Sequence, residues 1–155
     1  MTRTQFHIER IASNDATSWR SLREKLWPQA SPEEHDQETK DILSQPERHL
    51  VLIAKSAAGD AVGFAEASIR HDYVNGCDTS PVVFLEGIYV VPLTRRNGVA
   101  QALCASVEQW GMSHGCVEFA SDTDINNTDA QTIHQALGFT EIERVVVYKK
   151  RCKPN

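Results

Sequence analysis

Cysteine is sparse in this 155-residue chain, and no two cysteines form a Cys-x-x-Cys pair. Cys77, Cys104, Cys116 and Cys152 therefore suit neither a zinc ribbon nor a disulfide framework and are expected to be free thiols. Cys152, on what reads as a loose tail, leaves a crosslink between chains open. Long hydrophobic runs are missing too. The stretch from Met1 to Arg10 holds no apolar segment of signal-peptide length, and later apolar runs are strand-sized, far below the ~20 residues of a membrane span. A cytoplasmic protein that does not engage a membrane is expected. There is no excess of positive charge: 16 Lys+Arg stand against 21 Asp+Glu, a net charge of −5. That field disfavours nucleic acid as a partner. Without a repeat of 20 to 50 residues or a low-complexity block, a solenoid or linker-joined pair is excluded. The six histidines make no His-Glu-x-x-His motif, and Glu33-Glu34-His35-Asp36 reads as a charged helix face, so no metal is expected.

What is present suits one globular domain over residues 1–155, with 41% apolar and 24% charged residues. Phe6 to Ile11 alternates as a strand. Ser13-Asn14-Asp15 offers N-cap chemistry for a helix through Trp19, Leu22, Arg23 and Leu26, ended by Pro28. Pro32 to about Ser44 is an acidic surface helix with one narrow apolar edge. Leu50–Ala54 and Ala61–Ile69 pair as a hairpin across Ala58-Gly59-Asp60. Val82–Val91, the most apolar stretch, is expected as the central strand and is closed by Pro92. A helix from about Gly98 to Gly115, a strand Val117–Ala120, a helix Asn126–Leu137 ended by Gly138 and a last strand Val145–Tyr148 complete the order. This predicts an α/β fold with a mixed central sheet and helices on both faces.

Arg95-Arg96-Asn97-Gly98-Val99-Ala100 lies between the apolar strand and a long helix. Free backbone N–H groups and the positive end of a helix dipole converge there, and small residues at 98 and 100 allow close approach of a phosphate. No Gly-Lys-Ser/Thr follows, and the three-glycine dinucleotide fingerprint is absent. The plain alternative is a helix start with two solvated arginines. Glu86 interrupts an otherwise apolar strand, where an unpaired carboxylate costs several kcal/mol, so it must reach solvent, a partner or a ligand.

The Arg95-x-x-Gly98-x-Ala100 pattern after an apolar strand resembles the acyl-CoA pyrophosphate loop of the GNAT acetyltransferase superfamily. Asn127-x-x-Ala130 followed by Gly138-Phe139 resembles its fourth helix and the turn after it. His134 stands where that superfamily commonly has a tyrosine near the coenzyme sulfur. Leu26-Trp27-Pro28, the run His71 to Gly76, Phe84-Leu85-Glu86-Gly87, Ala120-Ser121-Asp122-Thr123 and Glu143-Arg144-Val145 resemble the bacterial aminoglycoside 6′-N-acetyltransferases, over most of the chain.

The resemblance implies acetyl-CoA as co-substrate, held by the backbone of Ile88, Tyr89 and Val90, by Arg95 to Ala100 and by Asn127. It implies that Gly87 marks a β-bulge opening a gap for the thioester, that Glu86 takes a proton from the 6′-ammonium through a water, and that a backbone N–H near Tyr89 meets the oxyanion, with His134 or Tyr148 protonating the thiolate. Trp27, Tyr73, Glu86, Asp122 and Glu143 would bind a cationic aminoglycoside. Each has a plainer reading: Glu86 on a wet strand edge, Asp122 as a helix cap, Glu143 on a solvated face beside Glu141, Trp27 in the core, His134 as an ordinary helix histidine. A GNAT enzyme acting on a polyamine or a protein amine, or an acyl-CoA-binding module without turnover, shares the loop; the module needs neither Glu86 nor Asp122. The resemblance also implies a homodimer, with Val145, Val146 and Val147 as an exchange or pairing surface, though a buried strand explains the same residues.

Overall fold

The computed structural model describes residues 5–155. The first four residues, part of the stretch read for a signal segment, lie outside the described residues. The chain divides into two compact units, Met1–Asp122 and Thr123–Asn155.

The first unit is built on a five-stranded sheet in the order β1-β2-β3-β4-β5: β1 (Phe6–Arg10), β2 (His49–Ser56), β3 (Ala61–Arg70), β4 (Val82–Val90) and β5 (Phe119–Ser121). The first four strands run antiparallel, and β5 joins β4 in parallel. The sheet is mixed, as predicted. Its central strand is β3, not Val82–Val91. β4 is the more apolar of the two although it lies beside the edge strand, because a helix covers one of its faces, so hydrophobic content alone does not identify the middle strand.

Helix α1 (Ala16–Leu26) buries Trp19, Leu22 and Arg23, and its Trp19 and Leu22 pack with Val51, Ile53 and Phe64. α2 (Pro32–Leu43) starts on Ser31, whose hydroxyl accepts the Glu34 N–H at 3.1 Å, with Pro32 at the first position and Glu33 and Glu34 in the first turn. Those residues satisfy and complement a helix N-terminus. α3 (Val99–Ser113) buries Val99, Leu103, Cys104, Val107 and Gly111, about 1.5–3 kcal/mol for each large side chain. It lies so close to β4 that a Cβ on Gly111 would fall 2.5 Å from Val83 Cβ. Odd-numbered Gly63 meets Val99 of α3, whereas even-numbered Phe64 meets α1. Alternation along β3 thus places helices on both faces of the sheet.

In the second unit α4 (Thr128–Ala136) is capped by Asn127, whose side chain accepts the Ala130 N–H at 3.1 Å. The expected strand Val145–Tyr148 is not formed; residues 139–155 carry no regular structure. A strand needs a neighbouring edge to satisfy its ladder, and Val145, Val146, Val147 and Tyr148 stand 58–88% exposed. All four cysteines are free thiols. No helix of the described residues is long and apolar enough to cross a membrane.

Candidate active site

The register between β3 and β4 pairs Glu66 with Gly87 and Ala67 with Leu85. Glu86 is the extra residue of a β-bulge, so that two residues of β4, Glu86 and Gly87, stand against Glu66. Glu86 lands on the polar face of β3. Glu86 Oε1 accepts from Ser68 Oγ at 2.6 Å and from Arg70 Nη2 at 2.9 Å and Nε at 3.3 Å; Oε2 accepts from Arg70 Nη2 at 3.0 Å. The Arg70 guanidinium in turn lies 3.5 Å from the Phe84 ring centroid. Glu86 is thus both partly exposed and paired.

Past Leu85 and Ser121 the parallel ladder of β4 and β5 ends among the described residues, while β4 continues beside β3 to Val90. One edge of β4 is therefore open along Gly87 to Val90. The Val91 N–H donates to Val62 of β3 at 2.8 Å, so alternation aims the Tyr89 N–H at β3 and those of Ile88 and Val90 at the open edge. Arg95 Nε donates to the Val90 carbonyl at 2.8 Å.

The following loop has two left-handed residues, Arg96 at φ +67° and Gly98 at φ +83°. A Cβ on Gly98 would meet nothing within 4 Å, so glycine serves the dihedral there and not the packing. The Asn97 side chain fastens the turn by donating to Thr94 O at 3.0 Å and Arg95 O at 3.2 Å. Gly98 supplies no side-chain cap to α3. The first-turn N–H groups of Val99 and Ala100 face outward with the helix dipole behind them. The arrangement fits an anionic diphosphate on main-chain donors, beside a strand edge able to hold a pantetheine amide.

Two cavities share Glu86 and His49. One, about 650 Å³, is lined by Trp27, Glu34, Glu38, Asp41 and Glu66; the other, about 470 Å³, by Arg48, Ser68, Arg70, His71 and Tyr73. Carboxylates dominate the first, which suits a polycation. Burial pushes the His49 imidazole down, with Arg48 adding to it and Glu86 opposing. Tyr73 is 78% exposed on the loop after β3. Trp27 closes α1; its ring meets core Phe64 edge-on at 6.1 Å, and the residue also lines the acidic cavity. Asp122 is exposed directly after β5.

The remaining candidates belong to the second unit. His134 Nδ1 lies 2.7 Å from Ala130 O, and its ring packs 5.5 Å from Phe139. Glu143 and Tyr148 are exposed on the irregular segment, where Glu141 accepts from Arg144 at 2.6 Å. The shared strand face expected for Glu141 and Glu143 is not formed.

Residues 16–139 match the acetyltransferase (GNAT) family. The chain is a GNAT acetyltransferase. It is 55% identical to the aminoglycoside N(6′)-acetyltransferase type 1 of Salmonella enteritidis over 145 residues, 94% of this chain and 99% of that protein. The corresponding enzyme of Serratia marcescens is 52% identical over 133 residues, 86% of this chain and 90% of that one. Among solved structures, AAC(6′)-Iy in complex with the bisubstrate analog CoA-S-monomethyl-acetylneamine superposes with a TM-score of 0.89 at 51% identity, covering 96% of this chain and 100% of that one. AAC(6′)-Ih from Acinetobacter baumannii gives 0.91 at 43% identity, with the same coverage.

In this GNAT chain a further group lies beneath the site that the sequence reading did not select. Arg23 Nη1 donates to both Glu66 oxygens, to Oε2 at 2.5 Å, while Trp19 Nε1 donates to Oε1 at 3.2 Å. Arg23 also reaches Glu38 and lies 3.3 Å from His35 Nδ1, whose other nitrogen is 3.3 Å from the Trp27 carbonyl. Arg23, His35 and Glu66 are only 1%, 1% and 3% exposed. His35 is therefore no part of a charged outer face; it is the inward residue of α2. Burial pushes the Glu66 carboxyl up to about 7, against the pull of Arg23 and Trp19. The usable signal was that Glu66 interrupts an apolar strand just as Glu86 does, and that Arg23 falls within the Trp19-Leu22-Leu26 stripe.

Proposed function

We propose that this chain is an acetyl-CoA-dependent 6′-N-acetyltransferase of aminoglycoside antibiotics and confers resistance to them. The observation that carries the reading is Glu86, set by the β4 bulge between an acidic cavity and the open strand edge; the identity to named 6′-N-acetyltransferases over nearly the whole chain supports it. The active protein is a single domain over residues 1–155, cytoplasmic, and a homodimer. Support for the dimer is the exposed β-branched run Val145-Val146-Val147, which gains a ladder only from an edge such as a second copy offers.

The residues divide the work by charge. Val99, Ala100 and the left-handed turn Arg95 to Gly98 hold the diphosphate, Asn127 contacts the pantetheine arm, and the backbone of Ile88, Tyr89 and Val90 aligns it. Bound acetyl-CoA supplies an electrophilic thioester carbonyl. Trp27 and Tyr73 wall the sugar rings, and Asp122 and Glu143 pair with the other ammonium groups. Glu86, through a water, accepts the 6′-ammonium proton and leaves the amine nucleophilic. The outward N–H of Ile88 or Val90 stabilises the developing oxyanion. His134 or Tyr148 returns a proton to the departing sulfur, a small contribution because a thiol of pKa near ~8.5 leaves readily.

Thiol release from acetyl-CoA measured side by side with kanamycin, spermidine and a peptide tests the substrate class. Turnover with kanamycin alone is expected; preference for spermidine or the peptide, or silence with all three, overturns it. E86Q is expected to keep acetyl-CoA binding and lose about 10²-fold or more in turnover.

A further inference from the structure

The polar face of β3 carries a second feature that bears on catalysis. Ser68 and Arg70 are two residues apart and so share that face, opposite Phe84 and Val82 of β4. From there they engage Glu86 unequally. Oε1 takes three contacts, from Ser68 Oγ and from Nε and Nη2 of Arg70, whereas Oε2 shares only the Nη2 group. Arg70 is itself held over the Phe84 ring, 3.5 Å from its centroid, a placement that suits a planar guanidinium and not an ammonium. A carboxylate on a bulged, partly exposed residue would otherwise sample several rotamers. Here its plane is fixed, one oxygen is saturated, and the other keeps lone pairs for an incoming amine or its water.

Arg70 also brings a cost. It is a permanent cation beside the group that a polycationic substrate must reach, so it competes with the substrate ammonium for Glu86 and repels it. Binding alone would favour an apolar residue at this position.

We propose that Arg70 is a positioning residue for the acetyl transfer: with Ser68 it locks the Glu86 carboxylate so that Oε2 faces the reacting amine, at the expense of ground-state substrate affinity. This rests on the assignment of Glu86 as the proton acceptor.

The test is a split between kcat and KM. In R70M, kcat with kanamycin is expected to fall about 10- to 100-fold, as for a displaced catalytic group. KM for kanamycin should fall about 2- to 5-fold, the range of one exposed charge pair. A merely structural role would not lower KM. R70K keeps the charge without the planar fork, so its kcat should lie between those of R70M and wild type, with KM near wild type. S68A removes the other donor to Oε1 and should lower kcat in smaller measure; it and R70K carry the test if R70M does not fold. An unchanged kcat in R70M, or a kcat loss accompanied by a higher KM, overturns the proposal. E86Q separates the two ideas: if E86Q stays active the Glu86 assignment fails, whereas an inactive E86Q beside a fully active R70M sinks only the role of Arg70.

Discussion

The indole of Trp27 occupies the space that a side chain at Gly87 would need. A Cβ placed there falls 2.5 Å from Trp27 Cη2 and 3.0 Å from Leu26 Cδ2. The ring cannot retreat easily, because the Arg23 guanidinium lies over it, 4.7 Å from its centroid, and Phe64 meets it edge-on at 6.1 Å. G87A therefore has to move either the aromatic wall or the bulge that aims Glu86. The expected result is a loss of roughly 10-fold or more in kcat/KM for kanamycin, with about 1–3 kcal/mol lost in stability from overpacking. Acetyl-CoA affinity by calorimetry should stay within about twofold, since loop 95–100 is untouched. Wild-type kinetics in G87A would show that Trp27 yields without consequence.

The Arg23–Glu66 pair makes a pH-dependent prediction. Burial raises the Glu66 carboxyl from 4.5 to about 7, so between those values the folded chain binds a proton that the unfolded chain has lost. Stability then falls as pH rises through that window, by up to about 1.4 kcal/mol per pH unit. Arg23 sets its upper end by favouring the ionised form. In R23M the carboxyl loses its cation and the fall continues above pH 7. The stability deficit of R23M relative to wild type, from urea titrations, should be small near pH 5.5 and grow by up to about 2 kcal/mol by pH 8.5, at about 1.4 kcal/mol for each pH unit above 7. A deficit that does not change with pH would mean that Glu66 does not carry the effect.

The sequence was most informative where the pattern is local. The periodicity of α3, the α2 helix from Pro32 and the Gly59 hairpin all follow from residues a few positions apart, and each is observed; the bulge at Glu86-Gly87 that the resemblance implied is observed too. The position of β4 beside the edge strand and not in the middle was not legible, because apolar content reports burial and not neighbour order. Nor were the partners of Glu86 and Glu66. Arg70 and Arg23 are 16 and 43 residues away in the chain, and only the strand register and the packing of α1 bring them in. The Val145–Tyr148 run shows the opposite failure: its composition is that of a strand, but a strand exists only where an edge receives it.

The loop before α3 depends on a dihedral more than on any side chain. Gly98 sits at φ +83° in open space, so G98V meets no clash but forces a β-branched residue into the left-handed region, at about 1–3 kcal/mol. The chain can relieve that strain only by turning the N–H groups of 98 to 100 away from their common point. KM for acetyl-CoA in G98V should rise about 10-fold or more while KM for kanamycin stays near wild type, in initial-rate kinetics with each substrate varied. Equal effects on both substrates would indicate general unfolding, and no effect on acetyl-CoA would remove the diphosphate from this turn.

The exposed C-terminal run tests the assembly. Val145 and Val147 are 58% and 87% exposed, and Tyr148 after them is 88% exposed. Charges introduced there cost nothing in a solvated segment. Once the run is paired with a second copy, the same charges are forced into a packed sheet face, where an unpaired carboxylate costs several kcal/mol. V145D/V147D should therefore be monomeric by light scattering at about 10 μM, a concentration at which the wild type is dimeric if the paired run contributes even a standard-sized interface. The α1 to β5 unit should keep its melting transition, because none of its core residues changes. A wild type that scatters as a monomer, or a double variant that remains a dimer, would show that this run does not join two copies.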